Sequence, residues 1–309
     1  SMKENRELYL THRPKFFCEM TGQEAAISTL EGMVRKGRTP HTVLFSGGSG
    51  VGKTSMARIL AASVDCFGDD LVEVNCADFT GVDVVREIRN QINTFAMFGK
   101  SRVWIIDEVH SISKAAQQAF LKILEETPDH VYFFLCTTDP GKLLETIRTR
   151  CTEIKLSSIP ADLLEKRVRE VAKKEKIQLT DEVVERITEV SEGSLRKALV
   201  LLNQIMYLDS EQERLDAILP SDAKRKATEL FYLLLNGKTK WPDVIKLLKS
   251  IEEEPETLRR IVLGCATAEM NKNKNLDKAF LVLVAFENDF FASNKAGLYR
   301  ACFEVIRGG

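Results

Sequence analysis

The sequence predicts an α/β fold: a doubly wound, parallel five-stranded sheet, followed by two segments that are helical throughout. Three observations carry that prediction. The run Gly47-Gly48-Ser49-Gly50-Val51-Gly52-Lys53-Thr54 matches G-x-x-x-x-G-K-[ST]; it sits between an apolar run, Thr42-Val43-Leu44-Phe45, and a helical pattern from Ser55 to Ala61. A second apolar run, Val103-Trp104-Ile105-Ile106, ends on two carboxylates, Asp107-Glu108. Strand and helix signals alternate up to residue 156, and from Pro160 only helical periodicity follows.

With 309 residues the chain has room for two or three domains and a substantial core. Hydrophobic residues make up 44% and charged residues 29%, an ordinary globular composition. There is no apolar run near membrane-spanning length and no signal peptide, so a soluble cytoplasmic chain with no membrane partner is expected. Ser1-Met2 reads as a cloning remnant before a natural start. The net charge of −1 gives no global case for nucleic acid, so any DNA surface must be a local concentration of Lys and Arg. The seven cysteines are scattered without a C-x-x-C pair, which argues against a disulfide framework or a zinc site and for a reducing compartment.

In order, residues 6 to 24 contain Arg13-Pro14, and Pro14 disfavours helix at the residue before it; an extended strap is expected, then a helix from about Gln23 to Lys36. The first strand, 42–46, leads into the glycine-rich loop. Its glycines let backbone N–H groups converge on phosphate oxygens at a helix N-terminus; Lys53 would reach the β- and γ-phosphates, and the Thr54 hydroxyl would ligate Mg²⁺. A strand at 71–76 precedes a helix from Val82 to Phe95 that exposes Arg86 and Arg89. The apolar patch Phe95-Ala96-Met97-Phe98 closes it, and core packing and an exposed docking site both remain open. The strand at 102–107 brings Asp107 and Glu108 to its C-terminal end, where open parallel sheets bind ligands; Asp107 is assigned to Mg²⁺ and Glu108 to polarising the attacking water. A helix from Ser113, its N-cap, to Glu126 follows, carrying Lys114, Gln117, Gln118 and Lys122 off its apolar face. The strand 131–138 ends in hydroxyls, with Thr138 placed to touch the water or the γ-phosphate, and 152–156 is the last strand.

Helices are then expected at Ala161–Glu175, Asp181–Glu192 with Thr180 as N-cap, and Ser194–Leu208, forming a small lid. Arg196 falls in the first turn of the last, where a cation opposes the helix dipole. Residues 209 to 219 read as a linker. Further helices are expected near 221–236, 242–252, 255–271, 276–292 and 295–307, with Leu276, Phe280, Leu283, Val284 and Phe290 as core positions.

Together these landmarks resemble the AAA+ ATPase subunits of DNA sliding-clamp loaders over residues 8 to 208. Arg13-Pro14, Phe17 and Gly22-Gln23-Glu24 are similar to the family's adenine-proximal segment, with His12 where a tyrosine is usual. Gly81-Val82-Asp83, Asp107-Glu108-Val109-His110, the run Phe120 to Pro128 and Thr137-Thr138-Asp139-Pro140 resemble the bacterial gamma/tau subunit; Thr149-Arg150-Cys151 matches S-R-C apart from its Thr, and Gly193-Ser194-Leu195-Arg196 matches sensor 2. The resemblance implies an AAA+ domain over 1–158, a lid over 159–217 and a helical collar over 218–309. It implies ATP, with Mg²⁺, bound by Tyr9, Leu10, Thr11, His12, Arg13, Pro14, Met20 and Thr21, by Gly48 to Ser55 in the loop, and by Thr138 (sensor 1) and Arg196. Arg150 would be an arginine finger on the neighbouring subunit's ATP, a contribution of about 10³–10⁵ in rate in other NTPases. Implied partners are a sliding clamp at Phe95, Met97 and Phe98, primer-template DNA whose phosphates meet Arg86, Arg89, Lys114 and Lys122, and other loader subunits in a pentamer. Gln118 would relay DNA contact towards Glu108. The four-cysteine zinc module of cellular gamma/tau subunits has no room between Ser63 and Leu71, which points to a phage-encoded or otherwise reduced subunit, acting then in a host cytoplasm; eukaryotic and archaeal small subunits lack it too, and origin stays open. Other AAA+ machines, such as a helicase loader or branch-migration motor, and a non-catalytic ATP-binding scaffold are the alternatives.

Overall fold

The computed structural model describes residues 7–78, 81–218, 222–290 and 292–308. Ser1-Met2 and the first residue of the strap therefore lie outside the described residues. The chain divides into two compact units, Ser1–Ile218 and Leu219–Gly309.

In the first unit the strands β1 (Thr42–Ser46), β2 (Leu71–Asn75), β3 (Arg102–Asp107), β4 (Val131–Thr137) and β5 (Thr152–Lys155) form one sheet in the order β2-β3-β4-β1-β5, with every neighbouring pair parallel. The central strands are near-continuous apolar runs because both faces are covered. Strand pleating sends successive residues to opposite sides. Phe45, Ile105 and Phe134 pack under α2 (Glu24–Arg35) and α3 (Lys53–Ser63) with Leu30, Met56 and Leu60. Leu44, Trp104 and Phe133 pack under α4 (Gly81–Gln91) and α5 (Lys114–Glu125) with Val84, Ile88 and Phe120. The register sets Asn75 beside Asp107 and Ser46 beside Thr137, so the C-terminal strand tips form one polar edge.

The strap departs from expectation. Leu8–Thr11 forms a helical turn, α1, because Leu8 is buried in the lid cluster and its N–H donates to Asn203 Oδ1 at 3.2 Å; tertiary packing overrides the extended bias, and Pro14 acts only downstream. The lid consists of α6 (Glu145–Arg148)-distal helices α7 (Ala161–Lys174), α8 (Asp181–Ser191) and α9 (Leu195–Ile205) around Leu164, Val168, Ile187, Leu199 and Leu202. Thr180 and Ser194 cap α8 and α9, their hydroxyls accepting from the Val183 and Lys197 N–H groups. The expected linker at 209–219 contains a helix instead, α10 (Glu211–Ala217), started by a capping box between Ser210 and Glu213. Residue 219 lies outside the described residues.

The second unit comprises α11 (Asp222–Leu235), α12 (Trp241–Lys249), α13 (Pro255–Asn271), α14 (Leu276–Ala285) and α15 (Asn294–Arg307), closed around Leu230, Phe231, Val262, Phe286 and Leu298. The expected start at 221 and the expected end of α14 reach into residues outside the described ones. Among the expected core positions Phe290 is buried and Leu283 partly so, whereas Leu276, Phe280 and Val284 are 42%, 56% and 53% exposed. Helix α14 stops at Ala285, and Ala279, Val282 and Phe286 face the core instead. Among the described residues no helix is long and apolar enough to cross a membrane.

Candidate nucleotide-binding and hydrolysis site

The glycine-rich loop links β1 to α3 at the polar edge. Lys53, 6% exposed, turns back into the loop, its Nζ donating to the carbonyls of Gly47 at 2.9 Å and Gly48 at 2.5 Å. Burial pulls the Lys53 ammonium below the usual lysine range, against the raising effect of Asp107 and Glu108 nearby. The Thr54 hydroxyl donates to Asp107 Oδ2 at 2.6 Å, so the first turn of α3 meets the tip of β3. A hydroxyl and a carboxylate oxygen converging at the loop's end are the hard donors that Mg²⁺ takes, and this pair fits that ion. Glu108 adopts a left-handed conformation, φ 52°, and its N–H donates to Asp107 Oδ1 at 3.0 Å.

These groups open on a cleft of about 940 Å³. Its floor includes Ser49, Gly50, Val51, Gly52, Lys53, Thr54 and Ser55 with Asp107 and Glu108, and one wall is Tyr9, His12, Arg13, Pro14, Met20 and Thr21. The lid supplies the other wall, with Arg196 5.5 Å from the centroid of the Tyr9 ring. Gly50, at φ +73°, brings loop and lid into contact: its carbonyl accepts the Arg196 N–H at 3.3 Å. His12, standing where a tyrosine is usual, bonds through Nε2 to Glu175 Oε1 at 2.6 Å and so ties the strap to the end of α7.

Several expected residues stand elsewhere. Leu10, 44% exposed, and Thr11 are outside this cleft because the turn of α1 rotates them away from the Tyr9 face. Gly48 meets the site only through its carbonyl on Lys53. Thr138 is exposed and outside the cleft, because β4 ends at Thr137 and it is Thr137 that is buried at the strand tip. Gln118 is exposed as expected, but Gln117, expected beside it off the apolar face, is buried because its Oε1 accepts the Leu144 N–H at 2.8 Å, and no path from Gln118 to Glu108 is seen. Arg150 is also outside the cleft, held to Glu125 of α5 at 2.6 Å. Arg86, Arg89, Lys114 and Lys122 are exposed on α4 and α5. Phe95, Met97 and Phe98 are 77%, 81% and 59% exposed, which removes the core reading; their loop is pinned because the Met97, Phe98 and Gly99 N–H groups donate to the buried Asp70 carboxylate. Asn75, Ile159, Leu195 and Leu199 line the cleft without having been singled out. Asn75 is the strand-tip partner of Asp107, a signal that needs the register to be read.

Parallel sheet, glycine-rich loop, paired strand-tip acids and helical lid define a P-loop fold of the AAA+ class. Family models match for "DNA polymerase III, delta subunit" over residues 69–160, the "RCF1/5-like, AAA+ ATPase lid domain" over 166–207 and the "Sigma-54 interaction domain" over 20–88. Within the class, the chain is similar to the DNA polymerase III tau/gamma subunits, in line with the resemblance to clamp-loader subunits. It is 33% identical to that of Haemophilus influenzae over 65% of this chain and 32% of the relative. To the tau subunit of Escherichia coli it is 33% identical over 67% and 35%, and to that of Bacillus subtilis 31% over 80% and 45%. The chain thus spans 32 to 45% of the length of these curated relatives. Among solved structures, the RuvB Holliday junction branch migration motor of Thermotoga maritima aligns with a TM-score of 0.55 at 21% identity, covering 71% of this chain and 78% of that one, a likeness of fold alone.

Proposed function

We propose that this chain is an ATPase subunit of a clamp loader, in which ATP bound at subunit interfaces orders an assembly that opens a ring-shaped sliding clamp and admits primer-template DNA, and hydrolysis releases both. The observation that carries this reading is a division of labour: Lys53, Thr54, Asp107, Glu108 and Arg196 face one cleft, while Arg150, just after α6 and paired with Glu125 at the end of α5, stands outside it, 45% exposed. That division supports a site completed by the neighbouring subunit.

Backbone N–H groups of the loop and Lys53 hold the ATP phosphates, and Arg196 adds positive charge from the lid. Thr54 and Asp107 hold Mg²⁺, which supplies charge neutralisation on the phosphates when bound. Glu108 orients the water and takes its proton, and Arg150 of the next subunit meets the charge that develops on the transferred group. Arg86, Arg89, Lys114 and Lys122 offer cations to DNA phosphates without base readout, as suits a protein acting at any primer. Phe95, Met97 and Phe98 are the clamp-docking group. The collar role, covering 218–309 and holding a pentamer, is inferred from the resemblance.

The reading is tested by ATP turnover of the assembled subunits with and without a ring clamp and primed DNA. Stimulation by both is expected, and Arg150→Ala should lower the stimulated rate by about 10³-fold or more. Turnover indifferent to clamp and DNA would contradict it.

A further inference from the structure

His110 stands between the Glu108 carboxylate and the tip of β4. Its Nδ1 is 2.9 Å from the Thr137 hydroxyl and its Nε2 is 3.3 Å from Glu108 Oε2, with the ring only 13% exposed. Thr137 is fully buried, and its Oγ1 accepts the Asp139 N–H at 3.0 Å. Glu108 is fixed at its backbone: its N–H donates to Asp107, its carbonyl accepts the Ser111 N–H at 2.9 Å, and its left-handed φ turns the side chain off the strand direction towards the ring. What remains free is the carboxylate arm itself, whose rotamer entropy is large.

The bonding pattern sets the ring's polarity. A carboxylate oxygen accepts, so Nε2, 3.3 Å from Glu108 Oε2, is the ring nitrogen that carries a proton, and Nδ1 is left to accept from the Thr137 hydroxyl, whose oxygen also takes the Asp139 N–H. A neutral ring accepting at Nδ1 carries its proton on Nε2, the atom that faces Glu108. The opposite tautomer would set a ring lone pair against a carboxylate oxygen.

We propose that His110 is the positioning residue for Glu108: the ring, seated on Thr137, presents Nε2–H to the carboxylate and holds it in the orientation from which it addresses the attacking water. The same contact ties the base to the strand tip that leads through the Pro140–Lys142 turn into α6 and on to Arg150. His110 makes and breaks no bond in the reaction. The inference rests on Glu108 being the general base.

The test measures kcat, KM and nucleotide Kd of the assembled protein for four single variants and one double variant. His110→Ala should lower kcat by about 10- to 100-fold, the scale for losing an orienting partner, with KM and Kd unchanged. His110→Gln, which retains an N–H donor near the position of Nε2, should recover most of that loss. Thr137→Val should lower kcat in the wild-type background and add little to His110→Ala, since both cut one chain. Wild-type kcat in His110→Ala would overturn the inference, as would equal losses in His110→Ala and His110→Gln with weakened nucleotide binding. Glu108→Gln measured alongside separates the failures: wild-type turnover there removes Glu108 as base and the functional reading with it, whereas loss there beside an intact His110→Ala removes the inference alone.

Discussion

At the scale of single residues, buried charge decides more than its numbers suggest. Glu256 in α13 accepts from Arg259 Nη2 at 2.8 Å, from Arg260 Nε at 3.1 Å and from the Phe290 N–H at 2.8 Å, joining two parts of the second unit. The Arg259 guanidinium, with the Phe290 N–H and Arg260, holds its carboxyl at about 2, below the ordinary 4.5, although burial pushes the other way. A depressed carboxyl stabilises the fold above the unfolded value, and that contribution is lost as pH falls from 4.5 towards 2. Glu256→Gln should therefore cost about 3 kcal/mol at neutral pH, the scale for breaking one side of a buried pair, and the gap from wild type should close through that acid interval. Denaturant unfolding at several pH values checks it; a gap independent of pH would contradict it. The placement of Lys53, Thr54, Asp107 and Glu108 at one cleft was legible because motif spacing and the end of an apolar strand fix where they stand. Asn75, the Thr137–His110 contact and the His12–Glu175 bond were not, because each depends on a register or a lid position that no local pattern encodes.

At the scale of elements, the loop and the lid meet at one glycine. A Cβ on Gly50 would run into the Ser194 hydroxyl and lie 2.8 Å from Arg196 Cβ, at a φ of +73° that other residues adopt at a cost of about 1–2 kcal/mol. Gly50→Ala should push the lid off the loop, lower stability by about 1–2 kcal/mol and weaken ATP binding by about tenfold; nucleotide titration measures it, and wild-type affinity would contradict the contact's importance. Strands and helix starts were legible within a residue or so because buried parallel strands are continuous apolar runs and the caps at Ser113, Thr180 and Ser194 mark helix starts, whereas helix ends were overrun, α4 stopping at Gln91 rather than Phe95 and α14 at Ala285 rather than 292. Helix α1 escaped because a single turn has no periodicity of its own and is stabilised by packing on α9. Helix α10 carried a readable Ser-x-x-Glu start that its charged composition obscured. On α14, an apolar stripe wider than the core it faces made exposed Phe280 and Val284 indistinguishable in sequence from buried Ala279 and Val282.

At the scale of the whole molecule, the account holds that each hydrolysis site is shared between two chains, with the cleft and its acids from one and Arg150 from the next. Net charge near zero and a chain built of two units leave that sharing invisible to composition. The direct measurement mixes two inactive variants: Arg150→Ala, which keeps a complete cleft, and Glu108→Gln, which keeps its arginine. If the site is shared, an interface joining the Arg150→Ala cleft to the arginine of Glu108→Gln is whole, and the mixture should turn over ATP where neither variant alone does. A mixture no faster than its inactive components, at concentrations where mixed assemblies are shown to form, would contradict it.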